Sequence, residues 1–236
     1  MRNTATVALK EFTSYITTPM AYVVAAIFLA LTGVFFGYSS ETFLQTSIRG
    51  FLQPGGLVLL LLATILTMRL LAEERKMGTL ELLMTAPVRD TEIVIGKFLG
   101  GLGILLVTLA LTLYYPLLLK IFGDPEVGPF VSGYIGLVLL GSAALAVGLF
   151  ASSLTSNQIV SIVVSGGILF GLWFMNQIST FLPKALGSFV DYFSLSYYFP
   201  SFVGGAIDTR GIIYYLSITL LFLFLTIRSL ENSRWS

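Results

Sequence analysis

The sequence contains no cysteine, no histidine and few charged residues. Without cysteine there are no disulfide bonds, thiolate metal ligands or thiol nucleophiles. Without histidine, the commonest general base and metal ligand is also missing. Charged residues make up 11% of the 236 residues, against about 25% in a typical soluble domain, and the net charge of +1 offers no surface for a polyanion. These absences exclude a soluble enzyme, a disordered chain and a nucleic-acid-binding protein.

Long apolar runs fill the chain instead. Hydrophobic residues make up 56% of it, and the mean hydropathy is +0.91. A helix needs about 20 mostly apolar residues to cross a bilayer. The longest charge-free run, between Glu126 and Lys184, is divided by the polar stretch 152–158. We therefore predict an all-α integral membrane protein with one domain, residues 1–236. Its six membrane-spanning helices are predicted near 20–40, 54–73, 97–119, 131–152, 158–176 and 211–229.

Two further elements flank these predicted spans. Apolar residues recur at helical spacing through residues 1–19, with Pro19 at the end, which predicts an interfacial helix lying on the membrane. Its apolar face includes Leu9, Phe12, Tyr15 and Ile16. Residues 177–210 contain a short, aromatic-rich run with Pro200, which is typical of the membrane–water interface or of re-entrant helices. We predict that this outer-face element dips partly into the membrane before the last span.

The distribution of cations predicts the orientation. An even number of spans puts both termini on one side, and that side carries nine lysines and arginines against four on the other. Short loops rich in lysine and arginine stay in the cytoplasm. We therefore expect both termini in the cytoplasm and a multi-pass protein of the plasma (inner) membrane.

The longest cytoplasmic loop, 73–96, has the features of a force-transmitting element. Arg75 and Lys76 follow the second span, where the helix dipole favours cations, and Gly78 suits a reversal of the chain. Thr79 can cap a new short helix that Pro87 ends. Asp90 or Thr91 then starts the helix of span three. The alternative is an ordinary solvated loop with a cluster of charges.

The predicted spans have no charged residue near their centres, although ion-coupled carriers usually need one. No Walker A sequence is present either, because Gly96-Lys97 is followed by Phe98 instead of serine or threonine. Any ATP hydrolysis would therefore take place outside this chain. An autonomous secondary carrier stays open as an alternative, and an intramembrane enzyme is the weakest one.

Small residues at helical spacing predict close helix contacts. The pairs Gly33/Gly37, Gly96/Gly100 and Gly167/Gly171 and the stripe Gly141, Ala144 and Gly148 have this spacing. We expect most of them to serve internal packing, and a dimer face is the alternative.

The loop as a whole resembles that of the type-2 ABC exporter permeases. The resemblance lies in Glu-Glu-Arg-Lys-x-Gly-Thr-Leu-Glu-Leu-Leu-x-x-x-Pro at 73–87, followed by Ile95-x-Lys97. It implies a coupling helix that docks onto a separate ABC ATPase, which would bind the ATP and Mg, and an elbow helix at residues 1–19. It also implies a second permease chain, identical or related. The coupling residues it implies are Glu73, Glu74, Arg75, Lys76, Gly78, Thr79, Leu80, Glu81, Leu82, Leu83 and Pro87.

The C-terminal part is similar to the gliding-motility and copper-processing branch of these permeases. The similar stretches are Phe-x-x-Gly-x-Ile-Asp-x-Arg at 202–210, Tyr214-Tyr215 and the ending at 229–235. This branch implies an auxiliary envelope protein as a partner. A non-transporting membrane scaffold for an ATPase or envelope complex is the alternative that the sequence leaves open.

Overall fold

A computed structural model describes residues 2–43, 48–79, 88–122 and 126–233 of the chain. Within these ranges the regular structure is helical and includes no strand. The helices are α1 (Arg2–Thr17), α2 (Pro19–Phe43), α3 (Arg49–Thr67), α4 (Ala72–Lys76), α5 (Asp90–Leu111), α6 (Tyr114–Phe122), α7 (Val127–Ser153), α8 (Gln158–Ser179), α9 (Lys184–Asp191), α10 (Leu195–Val203) and α11 (Thr209–Ser233).

Six helical segments in the described ranges are long and apolar enough to cross a membrane, as the sequence predicted. They are Pro19–Tyr38, Arg49–Lys76, Asp90–Ile121, Val127–Ser153, Gln158–Ser179 and Thr209–Asn232, here called spans one to six. Spans two and three extend several residues beyond the predicted bounds. Span three has 32 residues, about 48 Å of helix at 1.5 Å each, which exceeds the hydrocarbon core of about 30 Å.

Helix α7 forms the centre of the bundle and contacts α3, α5, α8, α10 and α11. The close approach of neighbouring helices to α7 depends on its small residues. A Cβ on Gly141 would lie 2.7 Å from Leu105 of α5, and one on Gly148 would lie 2.0 Å from the Thr67 hydroxyl of α3. The predicted stripe of small residues therefore serves internal packing in this part of the fold.

Spans one, five and six lie at the outside of the bundle, and most of their apolar side chains are exposed or half-buried. Spans two and four, in contrast, are mostly buried. A water-soluble bundle would place polar residues on such outer faces, whereas lipid is as apolar as these side chains. The burial pattern is that of an integral membrane protein.

Two spans are interrupted, which the sequence reading did not predict. Span two breaks at residues 68–71, between α3 and α4, and span three breaks at Thr112–Leu113, between α5 and α6. Pro116 lies in the first turn of α6, where proline is tolerated. The break in span two contains neither proline nor glycine.

The region 177–210 contains two short helices, α9 and α10, at the end of the bundle here called the aromatic end. Helix α10 packs against α3, α7, α8 and α11, and its Phe199 and Phe202 are buried. The Ser132 hydroxyl of α7 donates to the Phe202 carbonyl at 2.6 Å, and the Tyr215 hydroxyl of α11 donates to the Leu195 carbonyl at 2.7 Å. Helix α10 is therefore wedged between the spans, and its depth in a bilayer stays a prediction.

Candidate functional site at the loop end

The opposite end of the bundle, here called the loop end, brings together α1, α4 and the first turns of α5. Helix α1 lies along a glycine stripe of α5. A Cβ on Gly96 would come within 2.7 Å of Val7, one on Gly100 within 2.6 Å of Glu11, and one on Gly103 within 2.9 Å of Phe12. These contacts advance together along both helices, so α1 and α5 run in the same direction. Larger residues on the stripe would push α1 away.

Lys97 of α5 is the centre of the charged contacts at this end. Its side chain is 1% exposed, and its Nζ lies 2.7 Å from Glu11 Oε1 of α1 and 2.8 Å from Glu74 Oε2 of α4. The two carboxylates are also largely buried, at 12% and 17% exposure. Lys97 thus joins three separate elements through charge-assisted contacts in a poorly solvated place, where such contacts are strong. We call Lys97, Glu11 and Glu74 the charge triad.

The break in span two contributes a second ion pair. Arg69 Nε lies 2.6 Å from Glu73 Oε2, and Arg69 Nη1 lies 3.6 Å from Met20 Sδ of α2. The Tyr15 hydroxyl of α1 donates to the Leu66 carbonyl of α3 at 2.5 Å. Burial, with the nearby Glu11 carboxylate, raises the pKa of the Tyr15 phenol well above its ordinary value. Tyr15 therefore stays neutral and binds α1 to span two.

A cavity of about 280 Å³ lies between α1 and residues 69–79. Two cations and three carboxylates line it, together with apolar surface. The lining residues are Lys10, Glu11, Ser14, Tyr15, Arg69, Glu73, Glu74, Met77 and Thr79.

The predicted coupling residues are only partly within the described ranges. Glu73 and Glu74 form the first turn of α4, and Arg75 and Lys76 form its last turn, as suits the helix dipole. Gly78 follows with a φ of 69°, a left-handed conformation that favours glycine at the end of a helix. The Thr79 hydroxyl donates to the Glu74 carbonyl at 3.3 Å. Leu80, Glu81, Leu82, Leu83 and Pro87 lie outside the described residues, and the predicted short helix lies there too.

The predicted apolar face of α1 is split between two surroundings. Tyr15 is buried and Phe12 half-buried against the bundle, whereas Leu9 is 65% exposed and Ile16 is 42% exposed. Val7, which is not among the four named residues of the predicted face, is buried against Gly96. The side of α1 that packs on α5 therefore differs from the apolar face predicted to lie on the membrane, because the glycine stripe accepts both Val7 and the polar Glu11. The contact of that apolar face with the membrane stays a prediction.

Sequence reasoning missed the charge triad. It assigned no partner to Lys97 and no role to Glu11. The available signal was a single lysine inside the run Ile95–Gly103, between Gly96 and Gly100, because glycines on a helix invite a close neighbour. The identity of that neighbour depends on the tertiary fold.

The other glycine pairs differ from Gly96/Gly100. A Cβ on Gly33 would meet the Tyr115 hydroxyl at 3.3 Å, whereas one on Gly37, Gly167 or Gly171 would meet nothing within 4 Å. Internal packing therefore explains Gly96/Gly100 and not Gly167/Gly171.

The comparisons with known proteins agree with this architecture. The family model described as "ABC-2 family transporter protein" matches residues 5–201, which include most of α1, the loop end and five of the six spans. No curated protein matches the chain.

Proposed function

From the premise that the chain belongs to the ABC-2 transporter family, we propose that a separate ABC ATPase drives it from the loop end. The chain is a multi-pass membrane protein and the permease subunit of an ABC transporter, a membrane component distinct from the ATPase. The ATPase would bind the ATP and Mg, because no Walker A sequence occurs in this chain.

The observation that carries the proposal is the charge triad. Glu74 lies in the segment that leads directly into the proposed coupling helix, residues 79–87, and Lys97 connects it to span three and to α1. Moving α4 away from α5 would separate buried opposite charges, which is costly. A push on the loop therefore moves α1 and span three along with α4. An ATPase that closes on ATP binding would transmit its movement to the spans in this way.

Two permease chains, identical or related, would enclose the pathway. The distribution of cations supports cytoplasmic termini, which would place the loop end on the ATPase side of the inner membrane. The open sides of Gly167 and Gly171 support a helix contact with the second chain at span five. Rearrangement of the spans would move a substrate outward or extract it from the inner leaflet.

We also propose membership in the gliding-motility and copper-processing branch, with an auxiliary envelope protein as a further partner. The support is the sequence pattern at 202–210, which includes the end of α10 and the start of α11. Identification of the proteins that co-purify with the chain tests this assignment, and a set without any envelope protein would contradict it.

The test of coupling uses two changes in the complex with its ATPase. In Leu80→Asp/Leu83→Asp, charges replace two predicted apolar contacts with the ATPase, so the ATPase should dissociate. In Lys97→Gln, the predicted ATPase surface is intact while the link from α4 to span three is lost. The ATPase should therefore remain bound, but its stimulation by the permease should fall about tenfold, which corresponds to the loss of one charged contact.

Lys120→Gln is the matched control, because Lys120 is an exposed lysine near the other end of span three. It should leave both ATPase binding and stimulation unchanged. Unchanged stimulation in Lys97→Gln, or a retained ATPase in the double aspartate variant, would contradict the coupling proposal.

A further inference from the structure

The break in span two lacks the local causes that usually interrupt a helix. Sharp kinks occur mostly at proline, at glycine or at inserted groups. Residues 64–72 read Thr-Ile-Leu-Thr-Met-Arg-Leu-Leu-Ala and contain neither proline nor glycine. The hydroxyls of Thr64 and Thr67 bond back to carbonyls of their own helix, at 2.7 and 2.8 Å, and such bonds bend a helix without removing its backbone hydrogen bonds. The local sequence therefore allows a continuous helix through this point.

The break is held from outside by one side chain of α7. The hydroxyl oxygen of Ser152 accepts hydrogen bonds from the backbone N–H groups of Leu71, at 3.1 Å, and Ala72, at 2.9 Å. The same hydroxyl donates to the Met68 carbonyl at 3.4 Å. A continuous helix would use these N–H groups for its own carbonyls four residues earlier. Ser152 thus supplies the bonds that the break removes from the helix.

The hydrogen bonds from Ser152 lie in a fully buried place, where their loss would be costly. Leu71, Ala72 and Ser152 are at most 1% exposed. A backbone N–H without a partner is costly in such a place, because no water replaces the lost bond. Gly148, one helical turn before Ser152 on the same face of α7, packs directly on Thr67. Span four therefore contacts span two on both sides of the break.

We propose that Ser152 is a positioning residue that holds span two in its broken form, and that residues 68–71 are the joint at which α4 moves during transport. When α7 shifts and its hydroxyl leaves, span two closes into one continuous helix that satisfies both N–H groups internally. The two forms differ in the direction of α4 and hence of the loop that follows it. Span four thereby gains a link to the loop that is independent of the charge triad. The role in transport rests on the proposed function, whereas the two forms of span two do not.

Spin labels on both sides of the break measure this directly. The chain has no native cysteine, and Leu61 and Met77 are exposed sites at which cysteines can be introduced. In a continuous helix their Cα atoms would lie about 24 Å apart, at 1.5 Å for each of 16 steps. The labelled chain is diluted with unlabelled chain, so that only distances within one chain are recorded. In Ser152→Ala we expect the ratio of the long-distance population to the shorter-distance population to rise by about tenfold or more.

Ser153→Ala is the matched control. Ser153 is an equally buried neighbour whose hydroxyl bonds to the Phe150 carbonyl of its own helix, at 2.7 Å. It should keep the distance of the unaltered chain, and so should Ser152→Thr, which retains the hydroxyl. An unchanged distance in Ser152→Ala, or an equal shift in Ser153→Ala, would overturn the assignment of Ser152.

A second measurement keeps Ser152 and therefore does not require that a Ser152 variant folds. The unaltered label pair is followed in the complex with its ATPase, with and without trapped nucleotide. We expect the shorter distance to dominate in one of the two nucleotide states and the longer distance to dominate in the other. One distance in both states would overturn the moving joint, even where Ser152→Ala does lengthen span two. Loss of coupling in Lys97→Gln is measured separately, so the proposed function and this inference can fail independently.

Discussion

At the scale of single residues, Lys97 is the most exceptional side chain of the loop end. A lysine amine buried to 1% exposure is stable there only because two carboxylates lie within 2.8 Å of its nitrogen. Each of the three residues belongs to a different helix, and their sequence separations are large. The local pattern around Lys97 indicates only a close neighbour, and the tertiary fold decides that Glu11 and Glu74 are its partners.

Removal of the cation alone should destabilise the protein. In Lys97→Met, Glu11 and Glu74 lose the buried cation that they share, and Glu74 keeps only the longer contact with Lys10, at 3.9 Å. We expect a loss of about 3 kcal/mol in the free energy of unfolding. Thermal inactivation in detergent measures the loss.

The triple variant Lys97→Met/Glu11→Gln/Glu74→Gln removes both carboxylate charges as well and should recover much of that stability. A Lys97→Met protein as stable as the unaltered chain would contradict the burial of the triad.

The buried phenol of Tyr15 should make the stability of the folded protein depend on pH in the alkaline range. The pKa of Tyr15 is raised in the folded chain. Above about pH 10 the unfolded chain therefore loses the phenol proton while the folded chain keeps it, which favours unfolding. The contribution of the protonated Tyr15 to the free energy of unfolding is complete below that pH and is lost as the pH rises further. In Tyr15→Phe this alkaline loss should be absent, while the missing bond to the Leu66 carbonyl costs about 1 kcal/mol at neutral pH. Thermal midpoints of both proteins from neutral to alkaline pH measure the difference, and equal slopes would contradict it.

At the scale of helices, the contact between α1 and α5 depends on the absence of side chains. Gly100 is its closest point, because an added Cβ would lie 2.6 Å from Glu11 and 3.2 Å from the Ala8 carbonyl. Neither atom belongs to the flexible end of a side chain. Helix α1 itself would therefore have to move.

Gly100→Ala should displace α1 and lower the free energy of unfolding by about 1–3 kcal/mol. Protease accessibility of residues 2–17 and thermal inactivation are the measurements. Gly37→Ala is the control, since nothing lies within 4 Å of its added Cβ, and it should leave α1 protected. Equal protection of α1 in the two variants would contradict the packing of α1 on the glycine stripe.

The helices show how far sequence reasoning extends in this fold. Composition and the gaps between charges predicted all six spans, because a bilayer demands long apolar helices whatever the tertiary fold. The turn at Gly78 and the start of α5 at Asp90 also agree with local signals. The break at 68–71 has no local signal, since its bonds come from Ser152 on another helix. The side of α1 that packs on α5 has no local signal either, because the glycine stripe that accepts Val7 and Glu11 lies on another helix.

At the scale of the whole molecule, the account predicts a defined orientation in the membrane. Met77 at the loop end and Phe181 at the aromatic end are 65% and 89% exposed, and no native cysteine interferes with labelling. In intact cells a membrane-impermeant thiol reagent should label Phe181→Cys, and Met77→Cys only after the membrane is permeabilised. The reverse pattern would contradict the cytoplasmic position of the loop end.

The central claim is that a separate ATPase drives this permease from the loop end. Its most direct test is to purify the tagged chain gently from its native membranes and to identify and quantify the proteins that remain bound. The account predicts a P-loop ATPase in stoichiometric amount, absent from Leu80→Asp/Leu83→Asp and retained in Lys120→Gln. A correctly folded chain that purifies without any ATPase would contradict it, and would favour a scaffold or an autonomous carrier instead.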